Sequence, residues 1–160
     1  MTSRLAEAAG GTAGIISAPT FVSTPAVRSA LIAEPSVSGS LEVARNAALM
    51  IQSVGSVTDD ALLYRHGMLT GSDLRRLHEA GAVGDALVHF FDADGELVSW
   101  PTDDLHVGLT LADLRRCPTS ALVAGGDDKV LAIRGAVRGR FANALITNAA
   151  TAERLLALGP

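Results

Sequence analysis

Aromatic residues, cysteine and lysine are scarce in this chain of 160 residues. Phe, Trp and Tyr make up 4% of it, so the core must consist of Ala, Leu, Val and Ile, and no surface for stacking on nucleic-acid bases is expected. The single cysteine, Cys117, cannot form an internal disulfide, and the cysteine and histidines lack the spacing of a metal site. We therefore expect a protein of the reducing cytoplasm without a metal or cofactor.

Charge of either sign is also limited. The chain has 13 Lys plus Arg and 17 Asp plus Glu, a formal net charge of −4, which argues against nucleic-acid binding through a broad basic surface. No apolar run approaches the roughly 18 residues of a membrane span, and Glu7 and several glycines interrupt any secretory signal. With 48% hydrophobic residues, residues 1–160 are expected to form a single globular domain.

Short apolar runs alternate with amphipathic stretches along the chain, which is typical of an α/β fold. A Thr70–Asp73 capping box and a Thr110 cap mark two helix starts, and an Asp-Gly turn at residues 92–95 predicts one antiparallel hairpin. The other strands should form a mainly parallel sheet. The predicted strands are residues 14–17, 48–54, 86–91, 96–99, 120–124 and 143–147, and the predicted helices are residues 25–34, 40–47, 73–80, 111–116, 127–138 and 149–158.

The loops that follow the strands of such a sheet usually carry the ligand site. The loop at residues 124–129 contains Gly125 and Gly126, then the start of a helix and Lys129, the one lysine of the chain. Glycines allow a ligand to approach the backbone, and a helix start with a lysine suits a phosphate group. A glycine turn with Asp127 as helix N-cap and an exposed lysine explains the same residues equally well.

Two further loops carry weaker signals. Asp85 lies in a loop of small residues, where its carboxylate could accept hydrogen bonds from sugar hydroxyls or could merely satisfy loop amides. Gly55 and Ser56 follow the strand predicted at residues 48–54, and such loops are usually only turns. The four histidines form no pattern of nucleophile and base, so no catalytic residue is nominated and the chain is expected not to be an enzyme.

The order of these motifs along the chain resembles the sugar-binding domain of the SorC family of bacterial transcriptional regulators. Each motif alone is weak, but their order and spacing extend over nearly the whole chain. The matching segments are Ala18–Val22, Pro25–Leu31, Val54–Val57, Leu69–Thr70, Gly81–Asp85, Phe90–Gly95, Val107–Leu109, Ala124–Gly126 with Lys129, Ala142–Thr147 and Ala152–Leu156.

The resemblance implies an effector domain with a three-layer, Rossmann-like fold, shared with sugar-phosphate isomerases. In that family a phosphorylated sugar binds and modulates oligomerisation and DNA binding of the regulator. Asp85 matches the position that contacts sugar hydroxyls, Lys129 matches the position that contacts phosphate, and Gly125 and Gly126 match the loop beside it. Arg65 lies near a position where some members have a basic residue.

The chain also departs from the family pattern. The helix-turn-helix module and the first strand with its phosphate loop are missing, so we expect a truncated domain that contacts DNA only through a module outside this chain. An apolar surface exposed by truncation predicts a homo-oligomer. Ser53, His89 and Leu105 replace residues usual in the family. Two alternatives stay open: an isomerase-like or deaminase-like enzyme with Asp85 as general base, and a remnant that binds nothing.

Overall fold

The computed structural model describes residues 2–159, in which the helices and strands alternate much as the apolar pattern predicts. Two short 3-10 turns, Asp103–Leu105 and Asp127–Lys129, supplement them. The α-helices are α1 (Thr2–Ala8), α2 (Pro25–Ala33), α3 (Pro35–Arg45), α4 (Leu62–Arg65), α5 (Gly71–Glu79), α6 (Leu111–Arg116), α7 (Val130–Arg138) and α8 (Ala149–Ala157). The strands are β1 (Leu49–Gln52), β2 (Gly55–Ser56), β3 (Ala82–Ala86), β4 (His89–Asp92), β5 (Thr119–Val123) and β6 (Ala144–Ile146).

The structure divides into two compact units, each with its own local organisation. The first comprises the chain up to Asn46 together with Asp104–Gly108, and the second comprises residues 47–103 and the chain from Leu109 onward. The α/β class predicted from the sequence is confirmed, and the single-domain organisation stays a prediction. No helix in the described range 2–159 has the length and apolar character needed to traverse a lipid bilayer.

In the first unit, α2 begins as its sequence predicts. The Thr24 hydroxyl accepts a hydrogen bond from the Val27 N–H, and Pro25 occupies the first turn, where its missing N–H is not needed. The strand predicted at residues 14–17 is wrong. Gly14 and Pro19 flank a very short apolar run whose backbone pairs with no strand in the described structure. The helix predicted from residue 40 begins earlier, because Pro35 opens α3.

In the second unit, β1, β5 and β6 form a parallel sheet in the order β1-β5-β6. One face carries Met50 and Leu122, which belong to the same buried cluster as Ile133 of α7 and Phe141. On β1, Leu49 and Ile51 are 53% and 63% exposed. The parallel strand predicted at residues 48–54 is confirmed over Leu49–Gln52. Its run of branched apolar residues is typical of a buried strand, but that expectation of burial is wrong, since β1 is an edge strand with one apolar face uncovered.

The remaining strands form a separate antiparallel sheet in the order β2-β3-β4. Its hairpin turns at Leu87 and Val88, so the predicted hairpin with strands 86–91 and 96–99 is misplaced. The Asp-Gly turn at residues 92–95 does form, but only an isolated bridge between Phe91 and Leu97 follows it. Gly55, expected in a turn, pairs with β3. The six strands therefore form two separate sheets, whereas the sequence suggested a single mixed sheet.

Both predicted helix starts carry complete capping boxes. Thr70 caps α5 together with Asp73, and Thr110 caps α6 together with Asp113. In each box the hydroxyl accepts from the backbone three residues on, and the carboxylate accepts from the N–H of the cap residue. These local hydrogen bonds explain why the two helix starts could be predicted from the sequence.

Candidate functional site

A cleft of about 440 Å³ opens in the second unit, between the antiparallel sheet, α4 and the turn before α7. It brings together five of the seven candidate residues: Gly55, Ser56, Arg65, Asp85 and Lys129. The full lining is Ser53, Val54, Gly55, Ser56, Asp60, Ala61, Leu62, Leu63, Arg65, Asp85, Leu87, Val88, Asp128 and Lys129. Residues from three loops predicted separately therefore meet at one place.

A second, more open cleft of about 430 Å³ shares Ser53 and Lys129 with the first. Gly125 lines this second cleft, together with Thr147 and other residues at the ends of β5 and β6. Gly126 is not among the lining residues of either cleft. Its φ of +119° and the hydrogen bond from its N–H to the Thr151 hydroxyl (3.0 Å) give it a role in shaping the turn.

Asp85 lies on β3 directly opposite Gly55 of β2. A Cβ atom on residue 55 would stand 2.1 Å from Asp85 Oδ1, so only glycine leaves room for the carboxylate. Burial raises the pKa of Asp85 to about 6, while a hydrogen bond from the Val88 N–H and the charge of Lys129 act in the opposite direction. The half-buried carboxylate is thus held in place and only partly solvated.

Lys129 ends the 3-10 turn that precedes α7. The neighbouring Asp127 forms an ion pair with Arg154 of α8 (2.8 Å). No side chain caps either the 3-10 turn or α7, so the interpretation of Asp127 as a helix N-cap is wrong. Asp127 is tied to α8 and is not part of either cleft lining, whereas Lys129 lines both clefts.

Asp128 does line the first cleft, where the buried Ser56 donates a hydrogen bond to its Oδ2 (3.1 Å). The cleft therefore contains two cations, Arg65 and Lys129, and three carboxylates, Asp60, Asp85 and Asp128. Carboxylates accept hydrogen bonds from hydroxyl groups, and the cations can contact an anionic group. This set of residues offers acceptors for hydroxyl groups, and an anionic group could be held only where it lies nearer Arg65 or Lys129 than the three carboxylates.

Sequence reasoning missed several lining residues. Asp60 and Leu62 belong to a segment without clear periodicity, and Leu87 and Val88 were assigned to a strand. His89, one of the residues that depart from the resembled pattern, is buried with its Nδ1 3.0 Å from Asp103 Oδ1, and it lines neither cleft. No group of three potential metal-ligating side chains is found within residues 2–159.

The family described as "Putative sugar-binding domain" matches residues 1–157. The chain belongs to this family of sugar-binding domains. It is 40% identical over 116 residues to the deoxyribonucleoside regulator of Bacillus subtilis, covering 72% of this chain and 37% of that protein. It is 38% identical over 151 residues to the transcriptional regulator LsrR of Enterobacter sp. (strain 638), covering 90% of this chain and 46% of that protein.

Solved sugar-binding domains share the fold. The sugar-binding domain of a Vibrio fischeri transcriptional repressor matches with a TM-score of 0.84 and 29% identity, covering 97% of this chain and 62% of that one. The full-length sorbitol operon regulator SorC of Klebsiella pneumoniae matches in fold, with a TM-score of 0.82 and 23% identity over 92% of this chain and 48% of that one. The resemblance to SorC-type regulators is confirmed, and this sugar-binding domain spans less than half the length of the two regulators compared above.

Proposed function

We propose that the first cleft binds a phosphorylated sugar and that this sugar-binding domain is the effector-sensing part of a sugar-responsive transcriptional regulator. The observation that supports the proposal is that Asp85 and Lys129, which come from different elements, line one cleft. The carboxylate would accept hydrogen bonds from the sugar hydroxyls, and the ammonium group would contact the phosphate. In this proposal the domain has no catalytic activity and needs no cofactor.

The second cleft supports a position for the phosphate beside Lys129. Lys129 and Ser53 line both clefts, and Gly125 and Asn148 line the second one. A Cβ on residue 125 would stand 2.8 Å from the Asn148 amide nitrogen, so glycine keeps this region open. A ligand with its polyol part near Asp85 and its phosphate near Lys129 would use both clefts, with Gly125 beside the phosphate.

The names of the relatives support a sugar-like effector. They include a deoxyribonucleoside regulator and the erythritol catabolism regulatory protein EryD of Brucella abortus, which is 32% identical over 155 residues. In the full regulator, effector binding would alter oligomer contacts and thereby DNA binding through a module outside this chain. Such sensing requires that the ligand prefers one assembly over another. A cytoplasmic location follows from this role.

Thermal unfolding with a panel of sugar phosphates tests the proposal. A ligand at 100 times its dissociation constant stabilises the folded state by about 2.7 kcal/mol, so a selective shift is expected with at least one sugar phosphate. Lys129→Ala should weaken binding by about 1.5 to 3 kcal/mol, the range for a hydrogen bond to a charged group. Arg75→Ala, which removes an exposed cation of α5 outside both clefts, is the matched control. A transition unaffected by every sugar phosphate would refute the proposal and favour a remnant without a ligand.

One observation favours a second candidate, an isomerase-like or deaminase-like enzyme. Burial raises the pKa of Asp85 to about 6, which suits a general base near neutral pH. The enzyme hypothesis predicts turnover of an aldose or ketose phosphate that Asp85→Asn abolishes. Proton NMR of the incubated sugar phosphates would detect this turnover, and unchanged spectra would exclude the enzyme hypothesis for the sugars tested.

A further inference from the structure

The hairpin turn beside Asp85 has an unusual backbone for its residues. Leu87 and Val88 have φ values of +52° and +62°, in the left-handed region that glycine and asparagine normally occupy in two-residue hairpins. A branched residue such as valine is a particularly rare occupant of this region. Arg140 is the one other non-glycine residue of the described range with a positive φ. The fold itself would accept asparagine and glycine at this turn, so the two side chains need another explanation.

Packing explains only one of them. Leu87 packs partly against the buried cluster that contains Phe91 and Ile133, so it contributes to the core. Val88 belongs to neither of the two hydrophobic clusters of the described chain, but it lines the first cleft. Val88 therefore stands at the cleft surface without packing into either cluster, and its backbone N–H donates a hydrogen bond to the Asp85 carboxylate.

The first cleft has a mixed lining. Val54, Ala61, Leu62, Leu63, Leu87 and Val88 form its apolar lining, and none of the described lining residues is aromatic. A sugar hydroxyl placed against Val88 would lose its water without gaining a hydrogen bond, which is unfavourable. A carbon that carries no hydroxyl would lose nothing there. An apolar residue next to Asp85 would therefore act on a carbon close to the one whose hydroxyl Asp85 would bind.

We propose that Val88, supported by Leu87, is a specificity-determining residue that selects a sugar phosphate with a deoxy carbon over its fully hydroxylated counterpart. This inference rests on the proposed function. An apolar site rejects an added hydroxyl by a limited factor, so we expect the deoxy sugar phosphate to bind about 10- to 100-fold more tightly.

The test measures dissociation constants of the 160-residue chain for matched pairs: deoxyribose 5-phosphate with ribose 5-phosphate, and deoxyglucose 6-phosphate with glucose 6-phosphate. For the pair that binds, the wild-type protein should prefer the deoxy member. Val88→Thr keeps the branched shape and adds a hydroxyl, so it should reduce that preference at least fivefold. Val88→Gly relaxes the turn and removes the side chain, and it should reduce the preference as well.

Arg140→Gly is the matched control, because it relaxes the other left-handed residue at an exposed position outside the cleft. It should leave the preference unchanged while its effect on stability resembles that of Val88→Gly. Equal wild-type affinities within each pair, or an unchanged preference in Val88→Thr, would overturn the role of Val88 and leave the proposed function intact. Absence of binding to every sugar phosphate would overturn the proposed function itself, and the role of Val88 with it.

Discussion

Replacing Asp85 with asparagine should stabilise the protein at neutral pH, although the change removes a residue of the proposed site. Burial raises the pKa of Asp85 from 3.8 to about 6, so at pH 7 the folded protein holds a charge that its surroundings disfavour. At about 1.4 kcal/mol for each pKa unit, the difference corresponds to about 3 kcal/mol. Asparagine has a similar shape and retains an oxygen that can accept from the Val88 N–H, but it carries no charge.

The direction of this pH dependence follows from the number of protons that Asp85 binds in the folded and in the unfolded chain. At a pH below 3.8 the carboxyl group is protonated in the folded and the unfolded chain, so its burial carries no charge penalty. Between pH 3.8 and about 6 the folded chain keeps a proton that the unfolded chain has lost, so the stability contributed by this group falls as pH rises. Above pH 7 this loss of stability is complete and no longer changes with pH.

Urea unfolding of wild type and Asp85→Asn between pH 4 and pH 8 measures this effect. The difference in unfolding free energy should grow from near zero to about 3 kcal/mol, equivalent to about 6 to 12 °C in Tm for a chain of this length. Asp59→Asn, which removes an exposed carboxylate outside the cleft lining, controls for the change in net charge. A variant less stable than wild type at pH 7, or a difference that does not depend on pH, would refute the reasoning.

Three further predictions follow from the same structure. Sugar-phosphate affinity should fall about tenfold from pH 7 to pH 5, because protonation of Asp85 removes hydrogen-bond acceptors from the carboxylate. Calorimetry should find a smaller fall in Asp85→Asn than in wild type, and equal falls would contradict this prediction. Gly84→Ala should destabilise the fold by about 1 to 3 kcal/mol, because its Cβ would stand 2.4 Å from that of Ala132. Gly39→Ala, in open space on α3, should instead stabilise it by about 0.5 to 1 kcal/mol, and thermal melts compare the two. Light scattering at micromolar concentration should show that the protein self-associates and that Ile51→Lys reduces this association, because Ile51 lies on the uncovered face of β1. A monomeric wild-type protein would count against an interface at that face.

The helix starts were predictable because short-range hydrogen bonds determine them. Thr70 and Thr110 each stand three residues before the aspartate that completes their capping box. The division into two sheets was not predictable, because it depends on a hairpin whose turn residues, Leu87 and Val88, give no turn signal. The Asp-Gly turn at residues 92–95 gives a strong hairpin signal, but the chain after it pairs only through an isolated bridge. A prediction based on local turn residues therefore placed the hairpin several residues too late in the chain.

Residues of the candidate site could be predicted where a charged side chain stands in a loop beside a predicted strand. Asp85 and Lys129 stand in loops beside predicted strands, and they do line one cleft. Asp60 also lines it, but nothing in its local sequence distinguishes it from other exposed acidic residues, and Asp128 lies in a candidate loop without having been expected to line the cleft. The hydrogen bond from Ser56 that holds Asp128 joins residues 72 positions apart, so it becomes visible only in the folded chain.

Glycine contacts bring the strand of Asp85 against the helix that follows Lys129. Gly84 on β3 leaves no space for a side chain between its backbone and both Ala132 of α7 and the Gly55 carbonyl. The close approach of β3 to α7 is therefore determined by the absence of a side chain at position 84. Any side chain at position 84 would push β3 away from α7, so changes elsewhere in the core are expected to alter the surroundings of Asp85 and Lys129 before they alter the distance between these two backbone segments.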